Sequence, residues 1–214
     1  MRRLWPGLLA IAAAAAFGAL AYPHLPARIP THFDLHGQPN GWSSRLVAVL
    51  ITPAIGLILA AVFAVLPKID PRRANYARFG GTYWLVVNAV VILLAAIQVV
   101  IVGKALGWAI DITRVASIGI GALFILLGNV MTRIRPNWFM GIRTPWTLSS
   151  DTVWRKTHRL GGVLFVIAGV CVVAAGFIAS GMVFITTMVM LGLASLISVV
   201  YSYFVWKAEQ GAAA

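Results

Sequence analysis

Acidic residues are almost missing from this chain. Five of its 214 residues are Asp or Glu, against seventeen Lys and Arg, and all charged residues together make up 10%. Soluble domains carry about 25%. With 61% hydrophobic residues and a mean hydropathy of +0.92, the chain has too little polar surface to clothe a water-soluble fold. Cysteine is nearly absent as well. Cys171 stands alone in an apolar run, so an internal disulfide is excluded and the residue reads as a small buried apolar side chain. Asp, Glu, Lys and Arg are missing from the middle of every apolar run. Proton pumps and ion-coupled transporters usually place such groups there, so this absence argues against a transporter.

What the chain does have is six uncharged runs, at 4–22, 46–66, 80–103, 115–132, 160–180 and 181–206. Each approaches the ~20 residues with which a helix crosses the hydrocarbon core. The stretch 160–206 is uncharged throughout. It is too long for one crossing, and Ala179-Ser180-Gly181 supplies the turn. The expected fold is all-α: a polytopic membrane protein with six transmembrane helices. Arg2-Arg3 and Ala19-Leu20-Ala21 also fit a cleaved secretory signal. The apolar run is long enough to span a bilayer, which favours an uncleaved first helix.

Charge sets the orientation. With the N-terminus inside, Arg2, Arg3, Lys68, Arg72, Arg73, Arg78, Arg133, Arg135, Arg143, Arg155, Lys156, Arg159 and Lys207 are inside; Arg28, Arg45, Lys104 and Arg114 are outside. Thirteen against four is the bias expected when both termini are cytoplasmic. The net charge of +12 is then a topology signal, and direct nucleic-acid binding is not expected. The chain divides into a three-helix part at 1–107 and a second at 108–214. Each has one conspicuous loop, 23–45 outside and 133–159 inside.

The outside loop holds three of the four histidines, His24, His32 and His36, with four prolines and two glycines in 23–45 that rule out a continuous helix. Pro39-Asn40-Gly41 signals a turn. His32, Asp34 and His36 alternate, so in an extended strand they would share one face. Two imidazoles and a carboxylate there could ligate zinc or another first-row metal. The competing reading has these groups capping turns, with Asp34 forming an Asx turn near Gly37. No cofactor is required by that second reading. A metal-binding protein, or a metal-dependent membrane enzyme, is the alternative function, although no nucleophile or general base stands beside these residues.

The inside loop carries six of the seventeen Lys and Arg and three of the eight Trp. Arg135-Pro136 ends the fourth helix. Ser149 or Ser150 can cap the next one, with Asp151 in its first turn. Trp154 and His158 then share a face, as do Asp151 and Arg155. This helix is expected to lie along the membrane surface and to bend at Gly161-Gly162 into the fifth span. Within the spans, Asn88, Gln98 and Asn129 are expected to join helices by hydrogen bonds. Gly119, Gly121, Gly161 and Gly162 suit close helix packing.

The run Asn137-Trp-Phe-Met-Gly-Ile-Arg-Thr-Pro-Trp-Thr-Leu-Ser-Ser-Asp-Thr-Val-Trp-Arg-Lys-Thr-His-Arg-Leu-Gly-Gly162 resembles the signature of the SdpI family of bacterial integral membrane proteins. Ile29-Pro-Thr-His-Phe-Asp-Leu-His-Gly37, continuing to Trp42, resembles the uncharacterised membrane domain that commonly precedes it. The resemblance implies a non-enzymatic immunity or receptor protein of the bacterial cytoplasmic membrane. The founding member of that family protects its producer from a secreted toxin and holds a cytosolic repressor at the membrane. An extracytoplasmic peptide toxin and a cytosolic transcriptional repressor are the partners the resemblance implies; the basic inside loop itself points to membrane lipid as a further partner. Ligand sensing would fall to His32, Asp34, His36, Gly37 and Trp42. Partner docking would fall to Arg135, Asn137, Trp138, Gly141, Arg143, Trp146, Asp151, Trp154, Thr157 and His158.

Overall fold

The computed structural model describes residues 3–34, 38–178 and 180–213. Six of its helices are long and apolar enough to cross a membrane. They are α1 (Trp5–Ala21), α2 (Arg45–Ile69), α3 (Tyr76–Ala105), α4 (Ile112–Val130), α6 (Asp151–Ile178) and α7 (Val183–Ala213), with a short helix α5 (Pro145–Ser149) in the loop before α6. Helices α1, α2 and α3 pack on one another, and α4, α6 and α7 form a second bundle; α3 and α4 join the two along a sparse seam. Leu4, Tyr76, Ile134 and Trp154 share one core cluster, while Tyr203 of α7 meets Trp146. Both ends of the chain and the 131–154 loop therefore share one face, called the terminal face below.

The first bundle is tied by two polar side chains from α3. Asn88 caps α1: its Oδ1 accepts the Gly7 N–H at 2.8 Å, and its Nδ2 donates to the Arg3 carbonyl at 2.8 Å. Gln98 Nε2 donates to the Ala48 and Val49 carbonyls, each at 3.2 Å. The need arises from sequence. Pro53 has no N–H, so the carbonyl of Val49 four residues earlier loses its helical partner, and in lipid that oxygen must find another. Asn129 departs from expectation: its Nδ2 donates to Ile125 O within its own helix.

The second bundle is tied by glycine. Gly162, Gly169 and Gly176 recur every seven residues on α6 and face Gly128, Gly121 and Ser117 on antiparallel α4. A methyl carbon placed at Gly121 would stand 2.6 Å from the Gly169 carbonyl oxygen, and one at Gly162 would stand 2.8 Å from that of Gly128. Without a hydrophobic driving force in lipid, close backbone approach of this kind supplies the packing energy. The same packing overturns the surface-helix expectation. Helix α6 runs unbroken from Asp151 to Ile178, because Gly161 and Gly162 fit inside the bundle against Ile142 and Gly128 instead of bending the chain.

On the opposite face, loop 23–45 is a β-hairpin. Strand β1 (Arg28–Phe33) pairs antiparallel with β2 (Pro39–Ser44), Ile29 opposite Ser43 and Pro30 opposite Trp42. Ile29 anchors it, fully buried among Leu25, Ala48, Val49 and Val102. The expected turn at Pro39-Asn40-Gly41 is corrected: those residues lie in β2. The reversal is earlier, where Asp34 N–H donates to Gln38 O and Gln38 N–H to Asp34 Oδ1, both at 2.8 Å.

Candidate functional site

The terminal-face loop is built by its small polar residues. Asn137, fully buried, spends its whole amide locally. Its Oδ1 accepts the Phe139 and Met140 N–H groups at 2.9 and 2.7 Å, and its Nδ2 donates to the Arg135 and Met140 carbonyls, each at 2.9 Å. Gly141 follows at φ +107°, a left-handed conformation that favours glycine. Thr144 then caps α5 through a reciprocal bond with Thr147, and its hydroxyl meets Ser202 of α7 at 3.1 Å. Ser150 supplies the cap of α6, accepting from Val153 N–H at 3.3 Å.

Trp154 and His158 form the loop's floor. Their rings stack at 4.0 Å and 19°. Trp154 Nε1 donates to Ile134 O at 2.9 Å, and His158 Nε2 accepts the Ile142 N–H at 3.1 Å. That acceptance leaves the proton on Nδ1, which lies 2.8 Å from Trp154 O. The imidazole is thus neutral and fully committed to holding the loop.

A second short loop, between α2 and α3, clamps the first. Asp70 is buried without a cationic partner and accepts three hydrogen bonds. Its Oδ1 takes the Arg72 N–H at 2.7 Å, and its Oδ2 takes the Tyr76 hydroxyl at 2.9 Å and the Trp138 N–H at 3.0 Å. Arg72 Nη2 donates to Leu148 O at 2.6 Å, and Asn75 Nδ2 to Pro136 O at 2.7 Å. Three bonds thus cross from the first bundle to the second. The sequence reading missed Asp70, Arg72 and Asn75. The available signal was Asp70 itself, an acid in a segment otherwise chosen for positive charge.

Among the ten residues expected to dock a partner, Asn137, Trp154, Thr157 and His158 are out of contact with solvent. Their side chains shape the loop and present no surface. Arg135, Trp138, Gly141, Arg143 and Asp151 are exposed, and Trp146 is half-buried against Tyr203. Trp138, 47% exposed, is steadied from below by Arg143, whose Nη1 donates to the Trp138 carbonyl.

On the hairpin face, His32, Asp34 and Trp42 are exposed, Trp42 by 56%. His36 and Gly37 lie outside the described residues. Among the described residues no three His, Cys, Asp or Glu side chains gather. The other side of the hairpin has a different character. Thr31 and Phe33 close one end of an apolar crevice of about 420 Å³, which runs between Ile97 and Ile101 of α3 and Val115 and Gly119 of α4. It follows the seam between the bundles.

These features define a multi-pass integral membrane protein of two three-helix bundles, latched at one face and separated by an apolar crevice toward the other. Residues 133–202 match the SdpI/YfhL protein family. Residues 9–57 match a domain of unknown function, DUF1648. The immunity protein SdpI of Bacillus subtilis (strain 168) is 29% identical over 192 residues, covering 90% of each chain. An uncharacterized protein of Archaeoglobus fulgidus is 37% identical over 62 residues, 29% of this chain and 33% of that one. No solved structure matches the chain.

Proposed function

We propose that the protein is an immunity protein of the bacterial cytoplasmic membrane that binds a peptide toxin arriving from outside. The observation that carries this reading is the similarity to the Bacillus immunity protein over nine-tenths of both chains, which includes hairpin and terminal-face loop alike. The thirteen-to-four distribution of basic residues supports a hairpin on the outside. Its exposed His32, Asp34 and Trp42 meet the peptide, and the crevice behind Thr31 and Phe33 accepts an apolar side chain or segment. The terminal face then looks into the cytoplasm. Arg135, Trp138, Arg143, Trp146 and Asp151 offer an aromatic and cationic surface of the kind that anchors protein contacts, and a cytosolic repressor is the partner it would hold. No catalytic step is assigned.

The test is protection. The protein is expressed in a bacterium lacking its own immunity protein, and the cells are challenged with the secreted toxin that the family's founding member neutralises. Survival is expected with the wild type and is reduced by Trp42→Ala together with Phe33→Ala. Killing that is unaffected by wild-type expression, at membrane levels verified by immunoblot, would refute the reading.

A further inference from the structure

The terminal face carries a small polar pocket beside the latch, with Asn75 and Pro136 of the latch and Trp154 and His158 of the loop floor in its lining. It has a volume of about 60 Å³, several times what one water needs. Three arginines from three separate elements line it: Arg78 from the first turn of α3, Arg135 from the loop, and Arg155 from the second turn of α6, whose Nη2 also donates to Thr152 Oγ1 at 3.1 Å. Asp151 lines it too, so the local balance is three positive charges against one negative. Among the described residues the structure forms one ion pair, Arg114 with Asp111 on the other face. No carboxylate among the described residues is paired with any of the three guanidiniums. Like charges around one pocket without an ion-pair partner repel one another, and an anion placed between them removes that cost.

A second feature specifies the anion. Thr132 lines the pocket and also lines a groove of about 330 Å³ that descends the outside of the second bundle between α4 and α6. The groove is open because its base is glycine, Gly128 and Gly162; Val163, Val166 and Ile167 give it an apolar wall, and Asn129 and Arg159 line it as well. It runs along α4 and α6, which are long and apolar enough to cross a membrane. A charged pocket at the headgroup level continuing into an apolar groove at the chain level has the two-part chemistry of a phospholipid. Basic pockets between transmembrane helices are known to take anionic headgroups.

We propose that Arg78, Arg135 and Arg155 bind the phosphate of an anionic phospholipid, with one acyl chain in the groove over Gly128 and Gly162. The phosphate could also come from a soluble ester, and the test separates the two sources. Full-length protein in a neutral detergent is titrated with short-chain phosphatidylglycerol, phosphatidylcholine of equal chain length, glycerol phosphate and inorganic phosphate. Binding is read by calorimetry. The double variant Arg78→Gln/Arg155→Gln is compared with Arg73→Gln/Lys207→Gln, which removes the same charge from exposed positions on that face outside the pocket.

Phosphatidylglycerol is expected to bind the wild type more tightly than the other three ligands. It should bind the pocket variant about tenfold more weakly, the loss expected for a charge-assisted contact, and the control variant as it binds the wild type. Equal binding by the two variants, or no binding of phosphatidylglycerol to the wild type, would overturn the site. Inorganic phosphate bound as tightly as the lipid would overturn the lipid assignment. Size-exclusion profiles of both variants check that each is folded, which the exposure of all four positions favours.

Discussion

Asp70 accepts from Arg72, Tyr76 and Trp138 with two oxygens, and the chemistry of each donor makes the site testable atom by atom. Asp70→Asn keeps the shape but leaves one oxygen for three donors, with an NH2 facing another N–H or O–H. The expected cost is about 1–3 kcal/mol for the buried groups left unpaired, read as a lower Tm in detergent; an unchanged Tm would remove Asp70 from the latch. Gly141→Ala has a different mechanism. The left-handed φ of +107° strains an L-residue, and the new methyl runs into His158 Nε2. Strain of about 1–3 kcal/mol and loss of the Ile142–His158 bond should make the loop susceptible to limited proteolysis near residue 141. Of these residues the sequence made Trp154 and His158 legible as neighbours, since four-residue spacing on a helix guarantees it. It made Asn137 and His158 look like surface residues because polar side chains in a loop usually are. Their burial depends on carbonyls and N–H groups brought in by the chain itself, which no residue pattern announces. Asp34 was legible as a turn former for the opposite reason: its partner is four residues away.

At the scale of elements, the seven-residue glycine repeat of α6 is what sets the distance to α4. Gly169→Val should force the helices apart against the Gly121 carbonyl and the Ile125 backbone, an overpacking cost of about 1–3 kcal/mol. A methyl carbon placed at Gly192 on α7 would meet nothing within 4 Å. Gly192→Ala should therefore be neutral, or stabilising through helix propensity by up to about 1 kcal/mol. Thermal unfolding of the pair distinguishes glycine needed for contact from glycine that is incidental; equal Tm values would contradict the packing. The six spans were legible because a run of twenty apolar residues has few other uses. The fate of Gly161-Gly162 was not, because adjacent glycines permit a bend and close packing equally, and only the partner helix decides. The hairpin was hidden by its prolines and glycines, which read as loop; Ile29, the residue that pins it, is a single apolar side chain without periodic company.

At the scale of the whole molecule, the basic residues among those described partition twelve to four between the faces, and that partition makes an accessibility prediction. In a Cys171→Ala background, Asn40→Cys in the hairpin should react with a membrane-impermeant maleimide on intact cells. Ser149→Cys, exposed on the terminal face, should react only after lysis. The reverse pattern would invert the topology. The two bundles also have unequal dependence on later-made chain. Helix α1 begins without a cap of its own, and α2 carries the carbonyl orphaned by Pro53. Both are completed by α3, through Asn88 and Gln98. During synthesis α1 and α2 emerge first, so these backbone groups wait for their protein partners until the third helix arrives. An unpaired group in hydrocarbon costs several kcal/mol, which makes the insertion of α3 the step that commits the first bundle to the bilayer. A ribosome stalled after α2 but before Gln98 would thus hold two helices with good reason to linger at the translocon instead of partitioning into lipid.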